Sequence, residues 1–366
     1  MSRERSDKRR GGFMRIAVAG IGAIGSRHVE NIREVGHQAV TVDCARPADY
    51  AHVGQVASPG DLDAWVVATP TETHLSVVEQ ILRRDGGARV LVEKPVCSPR
   101  DLASLTRVVA NHPHARITVN DIYAHSAAVR KFAEVVREIR EKPDPIRKVS
   151  VEFTKNRCRD VSLGRFVDTQ YGEAGYEWFH ILSVLRAVLP SADYDVLVRS
   201  APGFVTPDVS VDVMLPGLPD IELHASTVGR IRFGKLGEPA LRSPLALEHT
   251  AEGFIPFGSE FRYRFARVEF ASGREALLAF EPYFGEAKDY RNTHLINVRD
   301  PLGPPEWRSY TITSNQLREG LLVQLHNLVR GYDGPQGIRL PEHRYLTALA
   351  ERVRDSHQHT RRAIHA

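Results

Sequence analysis

Apolar residues in the first third of the chain come in short blocks that alternate with stretches of helical period. The blocks Arg15–Ala19, Ala39–Val42, Ala64–Ala68, Arg89–Val92 and Arg116–Val119 are rich in Val and Ala and do not alternate with polar residues. Short continuous apolar runs of this kind predict strands covered on both faces. Between them, apolar positions three and four apart predict helices over Ser26–Val35, Thr73–Arg84 and Ser98–Asn111. Strand and helix in alternation imply a parallel α/β sheet with right-handed crossovers. Residues 43–60 break the period and read as an irregular connection.

From Ile146 the pattern changes. Runs with period-two character predict strands at Val149–Thr154, Asp195–Arg199, Val209–Met214, Ile221–Ser226, Arg262–Phe270 and Glu275–Phe280. Helices are predicted over Ala127–Lys142, Ala174–Leu189, Gln316–Val329 and from Glu342 to about Asp355. The Pro/Gly-rich stretch Gly234–Gly258 reads as a loop or arm. The organisation expected is a disordered basic tail over 1–12, a nucleotide domain over 13–122, and an α+β domain over 123–366. The last has a largely antiparallel open sheet and C-terminal helices that pack back on the body.

The junction of first strand and first helix carries the chemistry. Gly20-Ile21-Gly22-Ala23-Ile24-Gly25 follows the strand directly. In such a Rossmann turn the first glycine permits the bend and the second lets backbone approach a pyrophosphate. The third packs helix against strand, and the amides opening the helix face the anion. All six residues are therefore candidate dinucleotide contacts. The second strand ends at Asp43, near the distance at which an acid binds an adenosine ribose, while Arg46 would pair a 2′-phosphate. NAD is the expected coenzyme, with NADP left open.

Composition narrows the remaining classes. The chain has 366 residues and a formal net charge of +4, without a Lys/Arg cluster interleaved with aromatic platforms, so nucleic acid is not an expected partner. Its 3 cysteines, Cys44, Cys97 and Cys158, are far apart and form no metal or disulfide spacing. No metal site and no membrane partner are expected. Arg9-Arg10 superficially resembles an export signal, but the apolar stretch behind it is the first strand and the glycine turn; a cytoplasmic location is expected.

Two further motifs end parallel strands, where an open α/β sheet forms its ligand crevice: Thr69-Pro70-Thr-Glu-Thr73-His74 and Glu93-Lys94-Pro95. Together with the glycine turn they resemble the Gfo/Idh/MocA family, which includes glucose–fructose oxidoreductase and inositol 2-dehydrogenase. The resemblance implies NAD(P) on the turn, with Thr69, Pro70, Thr73 and His74 under the nicotinamide half and Glu93 on the cofactor side. It implies that Lys94, aimed by Pro95, reaches the substrate hydroxyl. It also places a histidine on a helix of the second domain, matched here by His180. The family's aspartate four residues before that histidine is replaced by Tyr176, and the acid Glu177 stands three before; Ser183 stands where an aspartate often follows.

Alcohol oxidation gives an independent reason for these residue types. A histidine titrates near neutrality and suits the proton step, while an ammonium stabilises the developing alkoxide. The expected catalytic set is His180 as acid/base, Lys94 as electrostatic partner and Glu177 as orienter. Asn120, adjacent to the crevice, is a candidate for both coenzyme and substrate. Tyr123, Lys155, Arg157 and Tyr176 join Lys94, Glu177 and His180 as substrate candidates, and Arg159, Asp168, Gln170 and Tyr171 lie near them in sequence. The expected activity is NAD(P)-dependent hydride transfer at a secondary hydroxyl or ketone of a sugar, cyclitol, amino-sugar or nucleotide-sugar. The alternatives are transient redox by tightly bound NAD in a hydrolysis or elimination, and a non-catalytic sensor. The resemblance also implies a homo-oligomer, dimer or tetramer.

Overall fold

The computed structural model describes residues 13–141, 144–163, 170–172, 174–205, 210–233, 252–282, 291–301, 303, 308–331, 336–337 and 339–364. The predicted tail over 1–12, Asp168 and most of the 234–258 arm lie outside them.

The apolar blocks of the first third are the strands β1 (Arg15–Ala19), β2 (Gln38–Val42), β3 (Ala64–Val67), β4 (Arg89–Val92) and β5 (Arg116–Val119). They alternate with α1 (Ala23–Glu34), α2 (His74–Arg84) and α3 (Leu102–Asn111). All pair in parallel in the order β5-β4-β3-β1-β2. Ile16, Val18, Val66 and Leu91 are fully buried, as strands covered on both faces require. Helix α1 begins three residues before the predicted start, because the helix opens inside the glycine turn. The predicted helix from Ser98 opens as a 3-10 turn at Pro99–Asp101 before α3.

The second region holds α4 (Ala127–Arg140), β6 (Ile146–Lys155), α5 (Cys158–Ser162), α6 (Ala174–Val188), α7 (Ser191–Arg199) and strands β7 (Phe204–Val205), β8 (Ser210–Val213) and β9 (Asp220–Ser226). These are followed by β10 (Arg262–Phe270), β11 (Glu275–Phe280), β12 (Thr293–Arg299) and β13 (Arg308–Thr313). The sheet runs β13-β12-β11-β10-β6-β9-β8-β7; β6 and β9 are parallel, and the other pairs are antiparallel. Helices α4 and α6 pack on it.

One prediction is overturned here. Asp195–Arg199 is not a strand but the end of α7, in which Tyr194, Leu197 and Val198 bury one face. Their spacing of three and four is helical, and it outweighs the β-branched residues that suggested a strand. Strands β12 and β13 lie beyond the predicted set. At the C-terminus come α8 (Gln316–Arg330), a two-residue strand β14 (Gln336–Gly337) parallel to β5, and α9 (Leu340–Ile364).

By contacts the chain divides into two units, Met1–Asn120 with Leu321–Ile338, and Asp121–Gly320 with Arg339–Ala366. Leu321, Leu325 and Leu328 of α8 belong to the same core as Ile16, Val18 and Leu91 of the parallel sheet.

Candidate active site

In the first unit the glycine turn has the geometry of a phosphate cradle. Gly20 adopts φ +87°, and a Cβ there would lie 2.7 Å from Thr69 N. A Cβ on Gly25 would lie 1.8 Å from the carbonyl oxygen of Gly20, so helix and turn touch backbone to backbone. Gly22 is different: a Cβ there would meet nothing within 4 Å. That open side is where a pyrophosphate can approach. Gly22 is the N-cap of α1, no side chain caps it, and no acid occupies the first turn, so the positive end of the helix is available to an anion. The residues present therefore fit a dinucleotide.

Asp43 holds this turn in place. Its Oδ2 accepts from Ile21 N at 2.8 Å, and its Oδ1 accepts from Ala45 N at 2.8 Å and Arg46 N at 3.0 Å. The exposed Arg46 donates through Nη1 to the Ile21 carbonyl at 3.1 Å. An acid suited to ribose hydroxyls and a cation suited to a 2′-phosphate thus sit together at the end of β2.

The two strand-end motifs are fastened to each other. Thr73 Oγ1 donates to Thr69 Oγ1 at 2.9 Å and lies 2.8 Å from the Pro70 carbonyl. Buried His74 sets Nε2 2.7 Å from the Thr69 carbonyl and Nδ1 2.9 Å from the Pro95 carbonyl. Both ring nitrogens thus face carbonyls, and the ring acts as a bolt between the Thr69–Pro70 and Pro95 turns. The Lys94–Pro95 peptide is cis. Lys94 is half-buried, beside the buried Glu93.

Glu93 is the centre of a network that local motifs do not reveal. Its Oε1 lies 2.6 Å from His28 Nε2 and accepts from Asn120 Nδ2 at 2.6 Å, and its Oε2 accepts from Lys94 N at 3.2 Å. Asn120 Oδ1 in turn accepts from Gln324 Nε2 at 2.8 Å. Burial alone would push the Glu93 carboxyl up. The hydrogen bonds from His28 and Asn120, with the charges of His28 and Lys94, bring it down to about 2. Both ends of the Asn120 amide are engaged inside the protein, which makes Asn120 a strut of the site. Only the position of His28, three residues after Gly25 on the buried face of α1, hinted at its part. Nothing local marked Gln324.

In the second unit, α6 carries Tyr176, Glu177 and His180. His180 is half-buried, and its ring stands 4.7 Å from that of Tyr123, centroid to centroid. Tyr123 is buried against Phe153 and Phe280, each at 5.2 Å. Glu177, 1% exposed, is gripped by two arginines. Arg264 Nη2 donates to both its oxygens, at 2.8 and 2.9 Å, and Arg157 Nη2 to Oε1 at 2.6 Å. Arg264 also donates to Tyr123 Oη at 3.2 Å. Burial disfavours the Arg264 charge, but Glu177 and Tyr123 hold its proton more firmly than usual. Arg157 covers the Tyr176 ring at 5.0 Å, and Lys155 Nζ binds Asp160 at 3.0 Å.

Arg264 is a further site residue that sequence reading missed. It lies on β10, beside Arg262 in the same alternation, and no local motif flags it. Burial lowers Lys155, with Arg157 and Arg262 adding to the effect; Arg262 is lowered first by Arg264 and then by burial. Like charges are crowded at this end of the sheet. Asp121, at the start of the unit, binds Arg186 of α6, which also donates to Glu342 at 2.5 Å. This ion triad anchors the helix that carries His180.

Among the described residues, no cluster of three or more His, Cys, Asp or Glu side chains is arranged to hold a metal, and no helix is long and apolar enough to cross a membrane.

A parallel sheet with a glycine cradle at the first strand–helix turn defines a dinucleotide-binding domain. Residues 14–121 match the profile of the Gfo/Idh/MocA group, described as an oxidoreductase family with an NAD-binding Rossmann fold. No curated relative matches in sequence. Solved structures match along nearly the whole chain. A 3-ketoreductase from Actinomadura kijaniata, in complex with TDP-benzene and NADP, is 12% identical at a TM-score of 0.60, covering 94% of this chain and 97% of that one. A UDP-N-acetylglucosamine 3-dehydrogenase from Acidithiobacillus ferrooxidans is 15% identical at 0.58, covering 94% and 98%. A dehydrogenase from Thermus thermophilus, in complex with NAD and UDP-GlcNAcA, is 17% identical at 0.55, covering 92% and 93%. At such identities the likeness is one of fold.

Proposed function

We propose that the protein transfers a hydride between NAD(P) and a secondary hydroxyl or ketone of a sugar-type substrate: a sugar, cyclitol, amino-sugar or nucleotide-sugar. The observation that carries this reading is the frame around Lys94, in which Glu93 is held ionised by His28 and Asn120 and presents its second oxygen to the Lys94 amide. A structural strand end has no use for a buried, fully bonded carboxylate beside a lysine. The fold relatives that act on or bind nucleotide-sugars support the substrate class.

Gly20–Gly25 would hold the coenzyme, with Asp43 and Arg46 available to its adenosine end, and the bound group would supply the hydride acceptor or donor. In the oxidative direction the substrate carbon loses a hydride and its hydroxyl loses a proton. His180 takes that proton, and Lys94 hydrogen-bonds the oxygen while its negative charge develops. In reduction His180 returns the proton. Glu177 acts through its neighbours: it balances Arg157 and Arg264, and Arg264 fixes the phenol of Tyr123, whose ring stands beside His180. The crowded cations Lys155, Arg157, Arg262 and Arg264 suit a substrate that carries a carboxylate or phosphate.

The test is a panel of polyols, sugars and nucleotide-sugars with NAD and with NADP, read as reduced nicotinamide. Substrate-dependent accumulation supports the reading. A bound coenzyme that always returns to its starting state, or no reaction at all with tight coenzyme binding, would count against it.

A further inference from the structure

The chain of polar groups behind Lys94 is expensive for the fold. His28 is 0% exposed, Gln324 2%, Asn120 4% and Glu93 9%. A buried carboxylate, an imidazole and two amides are each a penalty unless bonded, and well-packed apolar residues are often as stable or more so. Here the bonds run in one direction. Gln324 of α8 donates to Asn120, Asn120 donates to Glu93, and His28 of α1 approaches the same carboxylate oxygen at 2.6 Å. Because that oxygen belongs to an ionised carboxylate, the His28 proton belongs on Nε2.

The two ends of this chain are themselves fixed. His28 stands on α1, whose N-cap is Gly22 of the cradle, and α8 is seated by Leu321, Leu325 and Leu328 in the core of the parallel sheet. Glu93 is thereby clamped from two sides, with its second oxygen on the Lys94 amide.

We propose that His28 is a positioning residue for Lys94: by fixing the Glu93 carboxylate it makes the coenzyme-binding helix and the lysine that follows β4 one rigid assembly. The proposal rests on the assignment of Lys94 to the substrate oxygen. It predicts that loss of the His28 donor disturbs Lys94 and spares the cradle. A donor of similar reach at the same position restores it.

The experiment compares the full-length protein with His28→Leu, His28→Gln and Gln324→Leu. Three readouts are taken: NADH affinity by fluorescence, acylation of Lys94 by mass spectrometry at mildly alkaline pH, and turnover. In His28→Leu, turnover is expected to fall by about tenfold with NADH affinity within about threefold. Lys94 acylation is expected to rise by about threefold, because a side chain no longer held in one place beside the carboxylate is more open to the reagent. His28→Gln recovers both, and Gln324→Leu shifts both in the direction of His28→Leu by less. A plain packing role would lower the melting temperature without moving Lys94 acylation and without rescue by glutamine.

Wild-type acylation of Lys94 in folded His28→Leu overturns the proposal, as does a His28→Gln protein impaired like the leucine variant. Should His28→Leu fail to fold, unchanged acylation in Gln324→Leu overturns it instead. Acylation needs no substrate. A wild-type protein without turnover on any substrate would sink the proposed function while leaving this test decisive.

Discussion

One guanidinium nitrogen of Arg264 reaches both carboxylate oxygens of Glu177, at 2.8 and 2.9 Å, in a site where Glu177 is only 1% exposed. With Arg157 on the same carboxylate at 2.6 Å, Glu177 is a charge anchor for two cations rather than a base. Glu177→Ala leaves both guanidiniums without that counter-ion and is expected to destabilise the protein by about 3–5 kcal/mol. Chemical denaturation measures this; a loss below about 1 kcal/mol would show that solvent already screens the pair.

Two glycines of the cradle, Gly22 and Gly25, are expected to separate under mutation to alanine. Gly25→Ala drives a Cβ to 1.8 Å from a carbonyl oxygen, and the backbone must move; stability and coenzyme binding fall together. Gly22→Ala meets nothing within 4 Å inside the protein, so its melting temperature should match wild type. Its NADH affinity should nevertheless drop by about tenfold or more, because the methyl occupies the anion's approach. Calorimetry and fluorescence titration of the two variants check the contrast. Equal NADH affinity in Gly22→Ala and wild type would place the pyrophosphate elsewhere.

Much of this was legible because it is local. The glycine turn, the Thr69–His74 run and Glu93-Lys94-Pro95 are each contiguous, and the continuous apolar runs of β1–β5 follow from burial on both faces. Strands β10 and β11 match their predicted bounds to the residue. Asp195–Arg199 went wrong where two β-branched residues masked the helical spacing of Tyr194, Leu197 and Val198. The partners of the site were illegible for a different reason. His28 and Glu93 are 65 residues apart, Glu177 and Arg264 87, and Asn120 and Gln324 204. No local period encodes such pairings; only the assembled sheets and the returning α8 bring them together.

Glu152 on β6 sets a pH dependence with a definite sign. Burial pushes its carboxyl up from 4.5 to about 7, although the amides of Phe233 and Arg232 and the Thr154 hydroxyl partly oppose it. Between those values the folded chain keeps a proton that the unfolded chain has released. Its contribution to stability therefore declines as pH rises from 4.5 towards 7 and stays low above. Glu93 acts oppositely: held down to about 2, its contribution is present above 4.5 and is lost as pH falls through 2. Glu152→Gln removes the charge but keeps an acceptor for only one of the two amides, which bond different oxygens of the carboxylate. The lost bond costs the same at every pH, so the stability of the variant relative to wild type should improve by about 2–3 kcal/mol from mild acid to above neutrality. Urea unfolding at two pH values decides, and a pH-independent difference would contradict the assignment.

The thiols should divide by exposure. Cys44 and Cys158 are exposed, whereas burial, with Asp101 nearby, pushes buried Cys97 up to about 12. A thiol reagent at neutral pH should modify Cys44 and Cys158 readily and reach Cys97 only after denaturation. Peptide mass mapping reads this directly, and rapid native modification of Cys97 would show that the turn after β4 opens.

The central claim is that Lys94 serves the reacting oxygen and not the coenzyme's grip. The most direct measurement is Lys94→Met, assayed for turnover on the best substrate of the panel and for NADH affinity by fluorescence. The account predicts turnover reduced by about a hundredfold or more with affinity within a few-fold of wild type. Near-normal turnover, or a loss explained wholly by weaker coenzyme binding, would contradict it.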